Sequence, residues 1–390
     1  MITFILALLT FILRYYNDGS HLIHNIDNIC IIVLTLYSVY RFNIKIYRKF
    51  LPVNLAFTAF ALSSLASGVI NQNVYFVGDN TSTIFDTYRD SLMFIVFPYV
   101  LEYLCSTNKL GLFFKYIMIV ASIALVSTDL FALLHTYVED HQEIILISNK
   151  FGVSYLHLIY ICGLWFYLHY HRPHIEKLII ILLILLTLVI SQWIQCSTGV
   201  AASAFLLILY IFQKFKKKIT RPIFIYVAFF LSVIFVFYIN DILSNNTVIY
   251  VLEQYLNTDA SLTGRTQIYD QAPLLIALKP LMGWGPNKAS LIVQEYIGYG
   301  NIQNGVLQNI MTYGIIGSAF ILLIVLSSLE FKKEYNKDIY PFFALIFTFI
   351  LMSTIEVSLG SIFIYLILYM VIAKYYLYKQ NAVKENILLN

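Results

Sequence analysis

The sequence predicts an all-α, polytopic integral membrane protein, with about twelve transmembrane helices and one long external loop carrying short helices. Three observations carry this prediction. Hydrophobic residues make up 60% of the chain and charged residues only 12%, about half the charged share of an ordinary soluble domain. Apolar runs such as LIIILLILLTLVI (178–190) and IGSAFILLIVLSSL (316–329) belong to stretches long enough to cross a bilayer. Basic residues, finally, fall on alternate connections, the pattern expected of a chain that threads a membrane repeatedly.

In chain order the apolar segments fall at 1–13, 26–40, 52–70, 91–104, 110–134, 151–169, 177–195, 199–213, 221–239, 304–329, 339–357 and 359–378. The first and fourth are short, so a re-entrant segment stays open among them. The opening ITFILALLTFIL lacks a basic start and a small-residue cleavage site, and reads as a first span rather than a removable leader. One set of connections holds Arg41, Lys45, Arg48 and Lys49, then Lys109 and Lys115, then Arg172 and Lys177. The same side has the KFKKK run (214–218) with Arg221, then Lys332, Lys333 and Lys337, and finally Lys374, Lys379 and Lys384. The opposite side has only Arg14, Arg89, Lys150, Arg265, Lys279 and Lys288. The basic-rich side is cytoplasmic by the positive-inside rule, which places both termini inside. KFKKK then reads as a topology determinant on anionic lipid.

This divides the chain into residues 1–239 with the first nine helices, 240–303 as the long external loop, and 304–390 with the last three helices and a cytoplasmic tail. The loop contains apolar stretches (VIYVLEQYL, PLLIALKPLMGW) and few charges, a composition that folds rather than stays disordered. Cys30, Cys105, Cys162 and Cys196 lie in or beside apolar runs without metal-type spacing, so neither a zinc site nor a disulfide framework is expected. Paired carboxylates that would demand a metal are lacking, as is a basic patch for nucleic acid, and no cofactor is expected. Asp129, His157 and Glu102 form no continuous proton pathway and read as interhelical hydrogen-bonding groups.

The loop's polar interruption is SLTGRTQIYDQAPLLIALKPLMGWGPNKAS (261–290). Gly264 permits a tight backbone, Thr263 or Thr266 caps a following amphipathic helix, and Pro280 ends it. Arg265 then lies near a helix N-terminus, where N–H groups attract anions and a guanidinium fork matches phosphate oxygens. The plainer alternative is a solvated surface arginine. MGWGPN (282–287) is a glycine-flanked turn; its Trp284 either anchors at the headgroup level, stacks on a sugar, or marks a simple corner. Gln303, Asn304 and Gln308 follow at the start of the next span, the last two on one helical face. They either bind a polar substrate or hydrogen-bond between helices.

The order GR (264–265), a proline followed by GWGP (283–286), then QNGVLQNIMTYGIIG (303–317) resembles the O-antigen polymerase and ligase family of bacterial envelope glycosyltransferases. The explicit motif spans 261–317, and the span layout extends the resemblance more loosely over the chain. Relatives usually carry His where this chain has Gln303, which takes no proton near neutral pH. They often carry Ser-Arg at the start of the eighth span, where this chain has Ser197, Thr198 and Gly199. Both departures favour polymerase over ligase.

The resemblance implies a location in the bacterial cytoplasmic membrane and, as substrate, an undecaprenyl-diphosphate-linked oligosaccharide in its outer leaflet. Repeat units would be polymerised into O-antigen, capsular or exopolysaccharide, with a chain-length regulator as a further candidate partner. Arg265 is the first candidate for gripping the departing diphosphate and Arg89 the second, unless Arg89 pairs with Asp86 or Asp90. Gln303 would orient the acceptor hydroxyl. Where a base is needed, Glu295 is the nearest acid in sequence, followed by Asp270 and by Glu356, which lies at the end of its span and is either buried or solvated. Catalysis thus falls to Arg265, Gln303 and Glu295, and substrate binding to Arg89, Gly264, Trp284, Asn287, Asn304 and Gln308. A ligase remains the alternative enzyme. A polysaccharide flippase or exporter is the alternative of another class, although no internal duplication supports one.

Overall fold

The computed structural model describes residues 2–15, 21–41, 50–74, 84–134, 146–213, 220–243, 265–286, 288–329 and 339–388. These residues fold as helices: α1 (Ile2–Tyr15), α2 (His21–Arg41), α3 (Leu51–Ile70), α4 (Ile84–Ser106), α5 (Leu110–Leu134), α6 (Lys150–His171) and α7 (Pro173–Trp193). There follow α8 (Ser197–Ile211), α9 (Pro222–Leu243), α10 (Arg265–Leu278), α11 (Lys288–Ile297), α12 (Gly305–Leu329), α13 (Tyr340–Met352) and α14 (Ser361–Leu388). A helix occupies every apolar segment read from the sequence, and the external stretch contributes the short α10 and α11.

Six helical stretches are long and apolar enough to cross a membrane, namely Leu51–Ile70, Leu110–Leu134, Lys150–His171, Pro173–Trp193, Gly305–Leu329 and Ile362–Gln380. Five shorter apolar stretches of 10–17 residues lie in α1, α2, α8, α9 and α13. α4 is long but carries Asp86, Arg89, Asp90 and Glu102 towards its ends. Exposed apolar side chains recur at helical spacing, as Leu178, Leu182, Leu185 and Val189 on α7 and Ile119, Ile123, Val126, Leu130 and Leu133 on α5. Such stripes are stable against acyl chains and costly against water.

α14 is the central post, buried along nearly all of Phe363 to Ala373 and touching α4, α5, α6, α12 and α13. Aromatic rings fasten it: Phe11 lies 5.4 Å from Tyr365 and 5.6 Å from Tyr369, centroid to centroid. Small residues permit this closeness, since a Cβ on Gly163 would lie 3.1 Å from the Tyr369 ring. The four cysteines are buried free thiols.

Helix ends sort into two faces. On one, the start of α3 meets the far halves of α4 and α14: Asn54 Nδ2 donates to Glu102 Oε2 at 2.7 Å, and the Tyr375 hydroxyl donates to Asn54 Oδ1 at 3.2 Å. On the other, the end of α3 meets the start of α4 and the α10–α11 segment. Asp129 and His157 join α5 to α6, with Nε2 3.2 Å from Oδ2. These polar residues therefore work between helices, as their scatter in the sequence suggests.

Three boundaries differ from the sequence reading, and each bears on function. α4 begins at Ile84, so Arg89 lies inside the helix rather than before it. α13 stops at Met352, leaving residues 353–360 as a non-helical linker. α12 is broken at Gly314, where φ is 68° and ψ −176°.

Candidate functional site

The break in α12 receives the turn that follows α10. In an unbroken helix Ile315 and Ile316 would donate to the carbonyls of Met311 and Thr312. Here Ile315 N donates to Pro280 O at 2.9 Å and Ile316 N to Leu281 O at 3.2 Å. The freed Met311 O accepts from Trp284 N at 2.8 Å, and Thr312 O accepts from Gly285 N at 2.9 Å. Two helical bonds are thus replaced by four between turn and helix, and no buried backbone group of this set is lost. The approach needs glycine: Gly283 has φ 66°, and a Cβ there would lie 2.7 Å from Thr312 O.

Side chains lock the splice. Asn71, closing α3, donates through Nδ2 to Gly283 O at 3.0 Å and to Ser67 O at 2.8 Å. Its Oδ1 accepts from the Lys279 ammonium, which sits 4.6 Å from the Trp284 ring centroid. Trp284 Nε1 donates to Leu275 O at 3.0 Å, tying the turn back to α10. Of the three readings of Trp284, the structure favours the corner.

About two turns before the splice, the polar start of α12 meets the 353–360 linker. Asn304 is fully buried and caps α12, its Oδ1 accepting from Val306 N at 3.1 Å and Leu307 N at 3.0 Å. Its Nδ2 donates to Ser232 O at 3.1 Å and Thr354 O at 3.3 Å, joining α9, α12 and the linker. Gly305 N donates to Ser353 O at 2.8 Å, and a Cβ on Gly305 would lie 3.3 Å from Glu356 O. The Tyr269 hydroxyl, on α10, lies 2.9 Å from Gln303 O and 3.3 Å from Thr354 O, so it bridges the two strands of this junction. Glu356 is buried in the linker, its Oε1 accepting from Val357 N at 3.0 Å; the solvated alternative does not hold.

The remaining sequence candidates fall as follows. Arg265 opens α10 one turn before Tyr269, at the same register of the helix; its side chain lies outside the described residues. Gly264 and Asn287 also lie outside them. Gln303 adopts φ 58° at the junction, the left-handed region. Gln308 Oε1 accepts from Ile302 N at 2.9 Å, so it braces the segment that carries Gln303. Glu295 is on the exposed face of α11, and Asp270 is exposed on α10. Arg89 is buried, its Nε donating to Asp90 Oδ1 at 2.9 Å and its Nη1 to Asn28 Oδ1 at 3.1 Å. The pairing alternative for Arg89 is therefore the observed one.

Between α3, α4, α12 and α14 runs an apolar cavity of about 120 Å³, lined by Phe57, Phe60 and Phe363, with Asp90, Asn309 and Tyr313 also in its wall. Residues 175–322 match the family model described as O-Antigen ligase. This stretch is similar to the O-antigen ligase family. The match is consistent with the O-antigen polymerase/ligase family that the motif resembles. No curated protein and no solved structure matches the chain. The family domain runs from α7 into α12 and so contains the splice, Tyr269, Gln303 and Asn304. Glu356 and its linker come from outside it.

Tyr269 escaped the sequence reading because it is one aromatic among 31 tyrosines, and Ser353 because the apolar segment 339–357 reads as continuous. Cys196 borders the junction, and burial pushes its thiol up, the Glu356 charge adding in the same direction. It therefore packs as a neutral thiol rather than serving as a nucleophile.

Asn304→Ala should destabilise the domain by about 2 kcal/mol, since cap and interhelical bonds are lost together. A lowered melting temperature in detergent checks this. Lost activity at an unchanged melting temperature would instead assign Asn304 to substrate.

Proposed function

We propose that the protein polymerises undecaprenyl-diphosphate-linked oligosaccharide repeat units into O-antigen, capsular or exopolysaccharide on the outer face of the cytoplasmic membrane. The observation that carries this reading is the junction of α10, Gln303–Gly305 and the Glu356 linker, which unites the family motif with a buried acid. Sidedness follows from the basic residues, which lie on the connections of the opposite face.

In this reading the acceptor sugar hydroxyl attacks the anomeric carbon of the donor. The new C–O bond forms as the bond to the diphosphate breaks, and the lipid diphosphate leaves as an anion. Arg265, at the start of α10, neutralises that departing charge, helped by the helix N-terminus. The backbone around Gln303 positions its amide to orient the hydroxyl. Glu356 takes the hydroxyl proton in preference to Glu295, because Glu356 abuts Gly305 while Glu295 faces away from the bundle. Gln303 in place of histidine, and the lack of arginine at the start of α8, favour polymerisation over ligation.

Purified protein should convert a defined lipid-diphosphate oligosaccharide into a ladder of products, each longer by one repeat. A single addition that stops would overturn polymerisation in favour of ligation. Vesicle-to-vesicle movement of the lipid without a new glycosidic bond would replace both with transport.

A further inference from the structure

One face of α10 has two unlike halves. Gln267, Asp270, Leu274 and Leu278 are exposed at spacings of three and four, and Leu281 follows three residues on in the turn. The first two are polar and the last three apolar, Leu274 and Leu278 being 68% exposed and Leu281 60%. The opposite face is used by the fold. Ile268, Ala272 and Leu275 pack in a small second core with Val236 of α9, Ile292 of α11 and Met311 of α12. Three bare leucines in a row are costly in water.

Two independent observations identify what covers this ridge. The first is continuity with a membrane span. Pro280 O and Leu281 O accept from Ile315 N and Ile316 N, so the ridge ends against Gly305–Leu329, a stretch long and apolar enough to cross a bilayer. From that contact α12 carries the exposed apolar surface on through Ile315, Ile316, Ala319 and Leu323. Gly283 O is likewise bonded to Asn71, the residue that closes the α3 span. The second observation is the backbone. Irregular chain stands at membrane depth only where protein satisfies its polar groups. The carbonyls of Leu275, Ile276, Lys279, Pro280, Leu281 and Gly283 all accept hydrogen bonds. Lys279, the only charged residue between Leu274 and Pro286, turns its ammonium inward to Asn71 Oδ1 and the Trp284 ring. A turn in water would need few of these bonds, because solvent supplies them.

We propose that residues 274–286 are a re-entrant segment. α10 crosses the lipid–water boundary endwise between Asp270 and Leu274, and its leucine ridge lies against the acyl chains of the leaflet on the face where α3 ends. The insertion holds Tyr269 and the start of α10 just on the water side, at the level where a lipid headgroup emerges. It stands whatever the reaction; only naming the leaflet as the outer one rests on the sidedness proposed above.

The test is a nitroxide scan of the full chain reconstituted in phosphatidylcholine vesicles. Gln267→Cys, Asp270→Cys, Leu274→Cys, Leu278→Cys and Leu281→Cys each place a label at an exposed position. The four native thiols are buried, and the wild-type chain treated in parallel gives the background. Collision with oxygen, which concentrates in lipid, is compared with collision with a water-soluble nickel chelate. The oxygen-to-nickel ratio should be low at 267 and 270 and climb in order through 274, 278 and 281. The gain in depth from 270 to 278 should reach up to about 12 Å, the axial rise of eight residues. Strong nickel collision at all five positions would put the ridge in water and overturn the proposal. Weak collision with both reagents at 274, 278 and 281 would mean that protein covers the ridge, which also overturns it. An equally high ratio at all five would lay α10 flat in the interface and overturn the endwise crossing.

Discussion

Arg265→Ala should yield a correctly inserted protein that extends no glycan, with turnover reduced about 1000-fold or more. In the proposed reaction the leaving group is a lipid diphosphate, so the barrier would be set by how well negative charge is met as the anomeric bond breaks. The proposed residue opens α10, and a helix N-terminus favours an anion. It lies one turn from Tyr269, which is bonded to the Gln303 junction. Arg89, the competing guanidinium, already donates to Asp90 and Asn28 within the fold. Arg265→Lys should recover little of the activity, about 1% of wild type, because the planar fork is replaced by a point charge. Product length on a gel, normalised to folded protein, gives the measurement. A normal ladder from the alanine variant would remove Arg265 from the mechanism, and recovery of most activity by lysine would reduce its role to charge alone.

Much of this fold is legible in the sequence because a bilayer imposes a coarse rule: apolar stretches of sufficient length become helices. That rule placed a helix on every apolar segment, and Thr-Gly-Arg-Thr with Pro280 bracketed α10. It is weaker where polar residues enter a helix. α4 carries Asp86, Arg89 and Asp90 into its first turns, and Arg89 finds partners there in Asn28 across the bundle and Asp90 along the helix. The linker of residues 353–360 was hidden for the opposite reason: STIEVSLG lies between two strongly apolar helices and its polar atoms are used internally. Ser358 donates to Phe349 O at 2.6 Å and Ser353 to Ile350 O at 2.5 Å.

The site itself was half legible. Gly283, Gln303 and Asn304 announce themselves as polar or glycine breaks in an oily chain. What they do depends on partners far away in sequence, such as Asn71, Ser232 and Thr354. Pairwise contact of that kind leaves no periodic trace. The matched family domain has the same limit, because it ends at residue 322 and the buried acid beside it is residue 356.

Gly314→Ala tests the structural half of this account and should be among the most damaging substitutions in the chain. Gly314 holds φ 68° with ψ −176°, a region essentially reserved for glycine, which costs about 1–3 kcal/mol for a residue with a Cβ. The added methyl would also press into the backbone of Leu281 and, at 2.5 Å, Met282 N. Backbone cannot swing aside as a side chain can, so the turn must leave the break or α12 must straighten. Straightening restores two helical bonds but strands the carbonyls of Pro280 and Leu281 and the N–H groups of Trp284 and Gly285. The combined cost is about 4 kcal/mol, in the tail reserved for backbone and packing lesions. Gly300→Ala is the control: the nearest atom to its Cβ would be Gln294 Oε1 at 3.9 Å, so stability should stay within about 0.5 kcal/mol of wild type. Melting in detergent separates the two, and trypsin cleavage at Lys288, which precedes Ala289, should appear only in Gly314→Ala. Were Gly314→Ala to melt like the wild type with Lys288 protected, the four-bond splice would not be what holds α10 against α12, and the positioning of Tyr269 beside Gln303 would need another cause.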